Sequence, residues 1–163
     1  MFTGLGKLRG VTVKLRVDTD AKGAVQKQRR VSLPLKDKFD EILDKWERMD
    51  ILEDVGDEPT EWWSNVVLTP KKDGENIRAS LDMTNAINHM KRTRHAIPTI
   101  RELETRLNGA KYFSHLDMND GSMQLELAKE SRKLTTFYTH RGLKHFKRLH
   151  FRINSAAEIF NGD

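Results

Sequence analysis

Residues 62–82 read WWSNVVLTPKKDGENIRASLD. Trp62 to Pro70 is rich in β-branched and aromatic residues, as a buried strand is. Lys71-Lys72-Asp73-Gly74 is turn chemistry, and Asn76 to Asp82 follows as a second strand, so the stretch predicts a β-hairpin with a basic tip. Lys71 and Lys72, with Arg78 on the returning strand, suit a triphosphate or a nucleic-acid backbone. An ordinary exposed turn with surface lysines fits the same residues. Trp62 and Trp63 are able to stack on bases, but aromatic residues in an apolar strand are more often core, so at least one is expected to be buried.

Working outward from the hairpin, Phe39, Ile42, Leu43, Trp46 and Met49 recur at three and four residues and line one face of an amphipathic helix. Acidic residues fill its other face, and GDEP at 56–59 is the expected stop. Farther upstream, Val11, Val13, Leu15 and Val17 alternate as an edge strand does, followed by the polar connector DTDAKGAVQKQRR. Downstream, a basic stretch KRTRH at 91–95 precedes Pro98, which opens a helix with Ile100, Leu103 and Leu107 on one face and Asn108-Gly109 at its end. Tyr112, Phe113 and Leu116 form a short apolar strand, and Met123, Leu125 and Leu127 alternate as in a half-buried one. LTTFYTHRGLKHFKRL at 134–149 predicts two strands joined at THRG, and NSAAEIFNGD begins a helix capped by Asn154 or Ser155. Helices alternating irregularly with antiparallel hairpins define the class α+β.

A length of 163 residues fits one domain or a piece of a larger one. With 37% hydrophobic and 33% charged residues the chain is polar for a compact globule, which points to much surface or to missing partners for its apolar faces. Its net charge of +5 favours polyanions as partners. From Ser131 to Ala157 there is no acid, whereas Arg132, Lys133, Arg141, Lys144, Lys147, Arg148 and Arg152 are basic: either a cationic strip for nucleic acid or a plain solvated face. The absence of cysteine excludes disulfides and thiolate metal sites. Lys7 and Arg9 interrupt any signal-peptide core, and no run approaches the ~20 apolar residues of a membrane span. The expected location is intracellular, cytoplasmic or nuclear, without a membrane.

Phosphoryl transfer by paired metal ions needs several carboxylates and nearby cations for the phosphates. Asp117, at the end of the Tyr112–Leu116 strand, is the best acidic candidate, with Asp120 three residues on; a turn former or helix cap is the plainer role for an Asp there. The histidines form no His-x-x-x-His or His-Glu pair, and neither a phosphate loop nor a Gly-x-Ser-x-Gly elbow occurs.

The order of segments resembles the reverse transcriptase of gypsy-type retrotransposons from about Arg29 onward. The matching text is RRVSLPLKDKFDEILDKWERMDILEDV, then PTEWWSNVVLTPKKDGENIRASLDMTNAIN, then HAIPTIRELETRLNGAKYFSHLDMNDGSMQLELAKESRKLTTFYTHRGLKHFKRLHFRINSAAEIF. The resemblance implies an incomplete right-hand polymerase: a connector over 1–28, resembling a protease–polymerase junction, and a partial reverse transcriptase domain over 29–163. Fingers would take residues 29–95 and 128–157, and palm 96–127 and 158–163. It further implies that Asp117 is the first metal-binding and catalytic aspartate, for Mg²⁺ or Mn²⁺. Lys71 or Lys72 with Arg78 would hold the deoxynucleotide triphosphate, near Ser122 and Phe151, and an RNA or DNA template-primer would be the partner.

Several positions depart from that pattern. Ser122 stands where a ring, most often Tyr, usually blocks a ribose hydroxyl. His150, Phe151 and Arg152 replace Pro-Phe-Gly, so a residue suited to close backbone approach has become a long cation. Thr84 stands for an arginine and Ala157 for a proline. The Tyr/Phe-x-Asp-Asp segment that carries the other metal aspartates is absent from the sequence. The expectation is a polymerase fragment inactive alone; the other readings are a nucleic-acid-binding module and a decayed reading frame.

Overall fold

The computed structural model describes residues 5–18, 20–91, 99–114, 118–151 and 153. In chain order these form β1 (Thr12–Val13), α1 (Leu33–Arg48), β2 (Leu52–Asp54), β3 (Asn65–Pro70), β4 (Ile77–Asp82), α2 (Thr84–His89), α3 (Ile100–Leu107), β5 (Glu126–Leu127), α4 (Lys129–Arg132), β6 (Phe137–Thr139) and β7 (Gly142–Phe146). The mixture of helices and antiparallel strands is α+β, as the sequence predicts.

The hairpin of residues 62–82 is present. β3 and β4 pair antiparallel with Asn65 opposite Asp82 and Thr69 opposite Arg78. Its first strand is shorter and less buried than its composition suggests, because Trp63 and Ser64 bond elsewhere. The Trp63 N–H donates to the Ala24 carbonyl at 3.0 Å and the Ser64 N–H to the Thr136 carbonyl at 2.9 Å. Trp62 is buried and Trp63 half-buried.

The amphipathic helix begins at Leu33, before its first large core residue, with Pro34 in its first turn. It ends at Arg48 rather than at GDEP. Asp50 adopts φ 56°, a left-handed conformation that Asp tolerates better than most residues. That reversal lets Ile51 and Leu52 enter the core as β2 begins.

β2 joins the predicted 134–149 hairpin in a sheet ordered β2-β7-β6, in which Leu52 faces Phe146 and Phe137 faces Lys144. Phe39 and Leu43 of α1 pack onto Leu81 and Met83, Leu125 and Leu127, and Phe137, Phe146 and Leu149 in one apolar cluster. Met123, Leu125 and Leu127 are all buried, although only Glu126–Leu127 is strand, paired in parallel with β1.

One expectation needs correction. Residues 110–114 contain no strand, and Tyr112 and Phe113 are 93% and 67% exposed. A lone strand leaves its backbone donors and acceptors without a ladder, and among the described residues no strand lies beside this segment. α3 starts and stops as predicted, with a Thr99/Glu102 capping box and Gly109 at φ 84°. Its apolar face, however, is open to solvent: Ile100, Leu103 and Leu107 are all exposed. The C-terminal helix expected from Asn154 lies outside the described residues.

Candidate nucleic-acid interface

The hairpin tip is built by Asp73. Its carboxylate accepts from the Glu75 N–H at 3.1 Å, the Asn76 N–H at 3.0 Å and the Asn76 side-chain amide at 2.9 Å. These bonds hold its carboxyl below the usual range, Asn76 contributing most. Gly74 supplies the φ of 71° that the turn requires. With Asp73 occupied by the turn, the tip's cations stay available. Lys72 and Arg78 are exposed and make no side-chain hydrogen bond or ion pair among the described residues, and Lys71 is exposed beside Asp73. Together with Thr69, Pro70 and Asp73 they line an open hollow of about 520 Å³.

The acid-free stretch after Ser131 looks different in space than in sequence. Arg132 is 9% exposed; its guanidinium meets Glu53 at 2.7 Å and Glu126 at 3.0 Å, and its Nε–H donates to the Leu127 carbonyl at 3.2 Å. Lys144, buried in the middle strand, reaches Glu47 and Asp54, each at 2.6 Å. Burial pushes the Lys144 ammonium down, and the two carboxylates outweigh it and raise it. Lys147 and Arg148 share Asp50, Arg141 pairs with Asp40 and Asp44, and Lys133 pairs with Glu58 at 3.1 Å. The supposed strip is therefore not a free cationic face. Arg132, Arg141, Lys144, Lys147 and Arg148 face the acidic residues between Asp40 and Asp54, because β7 lies beside β2 and brings that side opposite them, and Lys133 meets Glu58 instead. Missing from a linear reading were the partners, Asp40 through Asp54; their signal was the acidic face of the helix, complementary to the strip.

Glu53 is the hinge of this network, since it also accepts from the His145 Nε2–H at 2.7 Å. Burial raises its carboxyl, but Arg132 and His145 together hold it below the ordinary value of 4.5. A carboxyl depressed in the folded state stabilises the fold above its unfolded pKa, and that contribution is lost as pH falls through the folded one. Thermal unfolding is thus expected to shift down as pH drops below about 4.5, and Glu53→Gln is expected to flatten that dependence. An unchanged pH profile in the variant would exclude Glu53 as its source.

The other candidate residues lie apart. Ser122 is half-buried in the short 3₁₀ turn Gly121–Gln124, and Phe151 is exposed, its ring 4.3 Å from that of buried His150. Thr84 donates its hydroxyl to Asp82 at 2.7 Å, so no cation projects there. Asp117 and Arg152 lie outside the described residues. Among the described residues no group of three acids or histidines is placed to hold a metal ion. No helix among them is long and apolar enough to cross a membrane.

No family model matches the chain. It is 33% identical over 102 residues to the retrovirus-related Pol polyprotein from transposon 412 of Drosophila melanogaster, a match covering 60% of this chain and 8% of that protein. To the corresponding polyprotein from transposon gypsy of the same fly it is 36% identical over 67 residues, covering 41% and 6%. In fold it is similar to the foamy viral protease-reverse transcriptase solved with an RNA/DNA hybrid, at a TM-score of 0.81 and 18% identity over 98% of this chain and 21% of that one. The chain spans only 6–12% of the length of the curated relatives it matches.

Proposed function

We propose that this chain, a homologue of retrotransposon Pol polyproteins, supplies the fingers and early palm of an RNA-directed DNA polymerase, with the β3–β4 tip as its triphosphate contact. The observation that carries the reading is the set of exposed cations Lys71, Lys72 and Arg78 around one open hollow, on a chain with a reverse-transcriptase-like fold. Arg78 on a strand gives a planar, oriented donor, and the two lysines on the turn give mobile point charges. Such groups position a triphosphate and neutralise its charge, which is most of what a protein contributes to phosphoryl transfer.

Asp117 remains the proposed metal-binding carboxylate, with Mg²⁺ or Mn²⁺ as the ion supplying Lewis-acid chemistry. The described residues offer no carboxylate cluster to complete that site, and the sequence contains no Asp-Asp pair. The 163-residue chain on its own is accordingly proposed to bind rather than to polymerise.

The test is an NMR titration of the isotope-labelled chain with deoxythymidine triphosphate. Shifts are expected at Lys71, Lys72 and Arg78, and Arg78→Gln should weaken the affinity about tenfold, the equivalent of one charge-assisted hydrogen bond. Hairpin resonances unmoved by the triphosphate would remove the proposal.

A further inference from the structure

From Ala21 to Lys36 the chain has no Asp or Glu and carries Lys22, Lys27, Arg29, Arg30 and Lys36. Unlike the stretch after Ser131, this one stays unneutralised in space. Lys27, Arg29 and Arg30 are exposed, and their side chains enter no hydrogen bond or ion pair among the described residues.

The backbone that carries them is nonetheless fixed. Val25 bridges to Trp63 in parallel, and the Gln26 N–H donates to the Trp63 carbonyl at 3.1 Å. Asn65, 4% exposed at the start of β3, clamps the rest. Its side-chain amide donates to the Gln26 Oε1 at 3.0 Å and to the Lys27 carbonyl at 2.9 Å, and its Oδ1 accepts from the Arg29 N–H at 3.0 Å. Gln26 in turn donates to the Asp82 carbonyl on β4 at 2.8 Å. Two side-chain amides, Asn65 buried and Gln26 half-buried, thus hold an extended, cationic connector against the base of the hairpin.

We propose that Lys27, Arg29 and Arg30 form a track that contacts the phosphates of single-stranded nucleic acid. The proposal rests on the polymerase reading of the chain and extends it beyond the triphosphate contact. From this clamp the chain enters α1, whose Lys38 bonds the Glu75 carbonyl at the hairpin tip, so cations border the hairpin at both ends. β3 separates those ends by roughly 17 Å at ~3.3 Å per residue, the reach of about five stacked nucleotides at ~3.4 Å each. Asp37, Glu61, Asp73, Glu75 and Asp82 are the acids in the segments that flank this path. Asp73 is fixed by the turn and Asp82 by Thr84 but both keep their charge; the balance is positive because the track, Lys36 and Lys38 and the hairpin's Lys71, Lys72 and Arg78 supply eight cations against these five acids.

A pre-positioned cation contacts phosphate without first being ordered, and each contact releases counterions. The signature is therefore in the salt dependence, and the measurement is binding of a fluorescein-labelled 20-nucleotide oligothymidylate across a salt series. The triple variant K27Q/R29Q/R30Q should make the log–log slope shallower by about 2, from ~0.7 per lost single-strand phosphate contact. The control R101Q/R106Q/K111Q removes the same charge from exposed positions elsewhere and should leave the slope as in the unaltered chain. Circular-dichroism melting of both variants verifies that the fold is kept. Equal slopes in the triple variant and the unaltered chain, an equal change in the control, or binding to phosphatidylserine vesicles without binding to the oligonucleotide would each overturn the track. The triphosphate titration reports on the hairpin separately, so failure of the track and failure of the polymerase reading are distinguishable.

Discussion

Arg132→Ala is expected to destabilise the fold by about 3 kcal/mol, the lower end of what breaking a buried charge pair costs, or roughly 6–12 °C in melting temperature for a chain of this size. Arg132 ties α4 to two strands: Glu53 of β2 and both the Glu126 carboxylate and the Leu127 carbonyl of β5 converge on its guanidinium. Removing it leaves two half-buried carboxylates without the cation they share. The loss stays at the low end because Glu53 keeps His145 and Glu126 keeps Lys7. Glu53→Gln in the Arg132→Ala background should then cost less than in the unaltered chain, since groups in one network do not add independently. Strictly additive losses in circular-dichroism melts would show that the network does not act as a unit.

Arg132 also illustrates how much of the molecule its sequence displays. Periodicity located the main elements: the hairpin at residues 62–82, the helix through Phe39 and Leu43 and the turn at THRG are present, and Met123, Leu125 and Leu127 are buried although only Glu126–Leu127 is strand. Each of these is a local signal, carried by residues within one or two turns of each other. Charge was legible only in part, because its partners are distant along the chain: Arg132 meets Glu53 across 79 positions, and Lys144 meets Asp54 across 90. An acid-free run is thus a cationic surface only where no acidic face is folded onto it. The hairpin tip and Lys27–Arg30 satisfy that condition and the 132–148 stretch does not. The apolar helix face of Ile100, Leu103 and Leu107 was legible as a face, but periodicity says nothing about whether a partner covers it.

Phe146→Ala should be the most damaging single truncation, about 4 kcal/mol within the range for buried aromatic to alanine changes, or roughly 8–16 °C in melting temperature. Phe146 is fully buried where several elements meet. Its ring lies 5.6 Å from Trp46 of α1, 5.4 Å from Phe137 of β6 and 4.7 Å from His150, and its backbone pairs with Leu52 of β2. Truncation therefore opens a cavity lined from the helix and from both flanking strands. The Phe146 N–H, which donates to the Thr135 hydroxyl at 2.9 Å, is untouched by the change, so the loss reports packing rather than backbone bonding. Phe146→Leu restores most of the volume and is expected to recover more than half of the loss. Equal melting temperatures for the two variants would place the effect outside the cavity and refute this assignment of Phe146. If the Ala variant also lost the triphosphate-induced shifts at Lys71, Lys72 and Arg78 while still folded, β3–β4 would be coupled to the β2-β7-β6 sheet through Ser64, which bonds Thr136 just before β6 and Tyr138 within it.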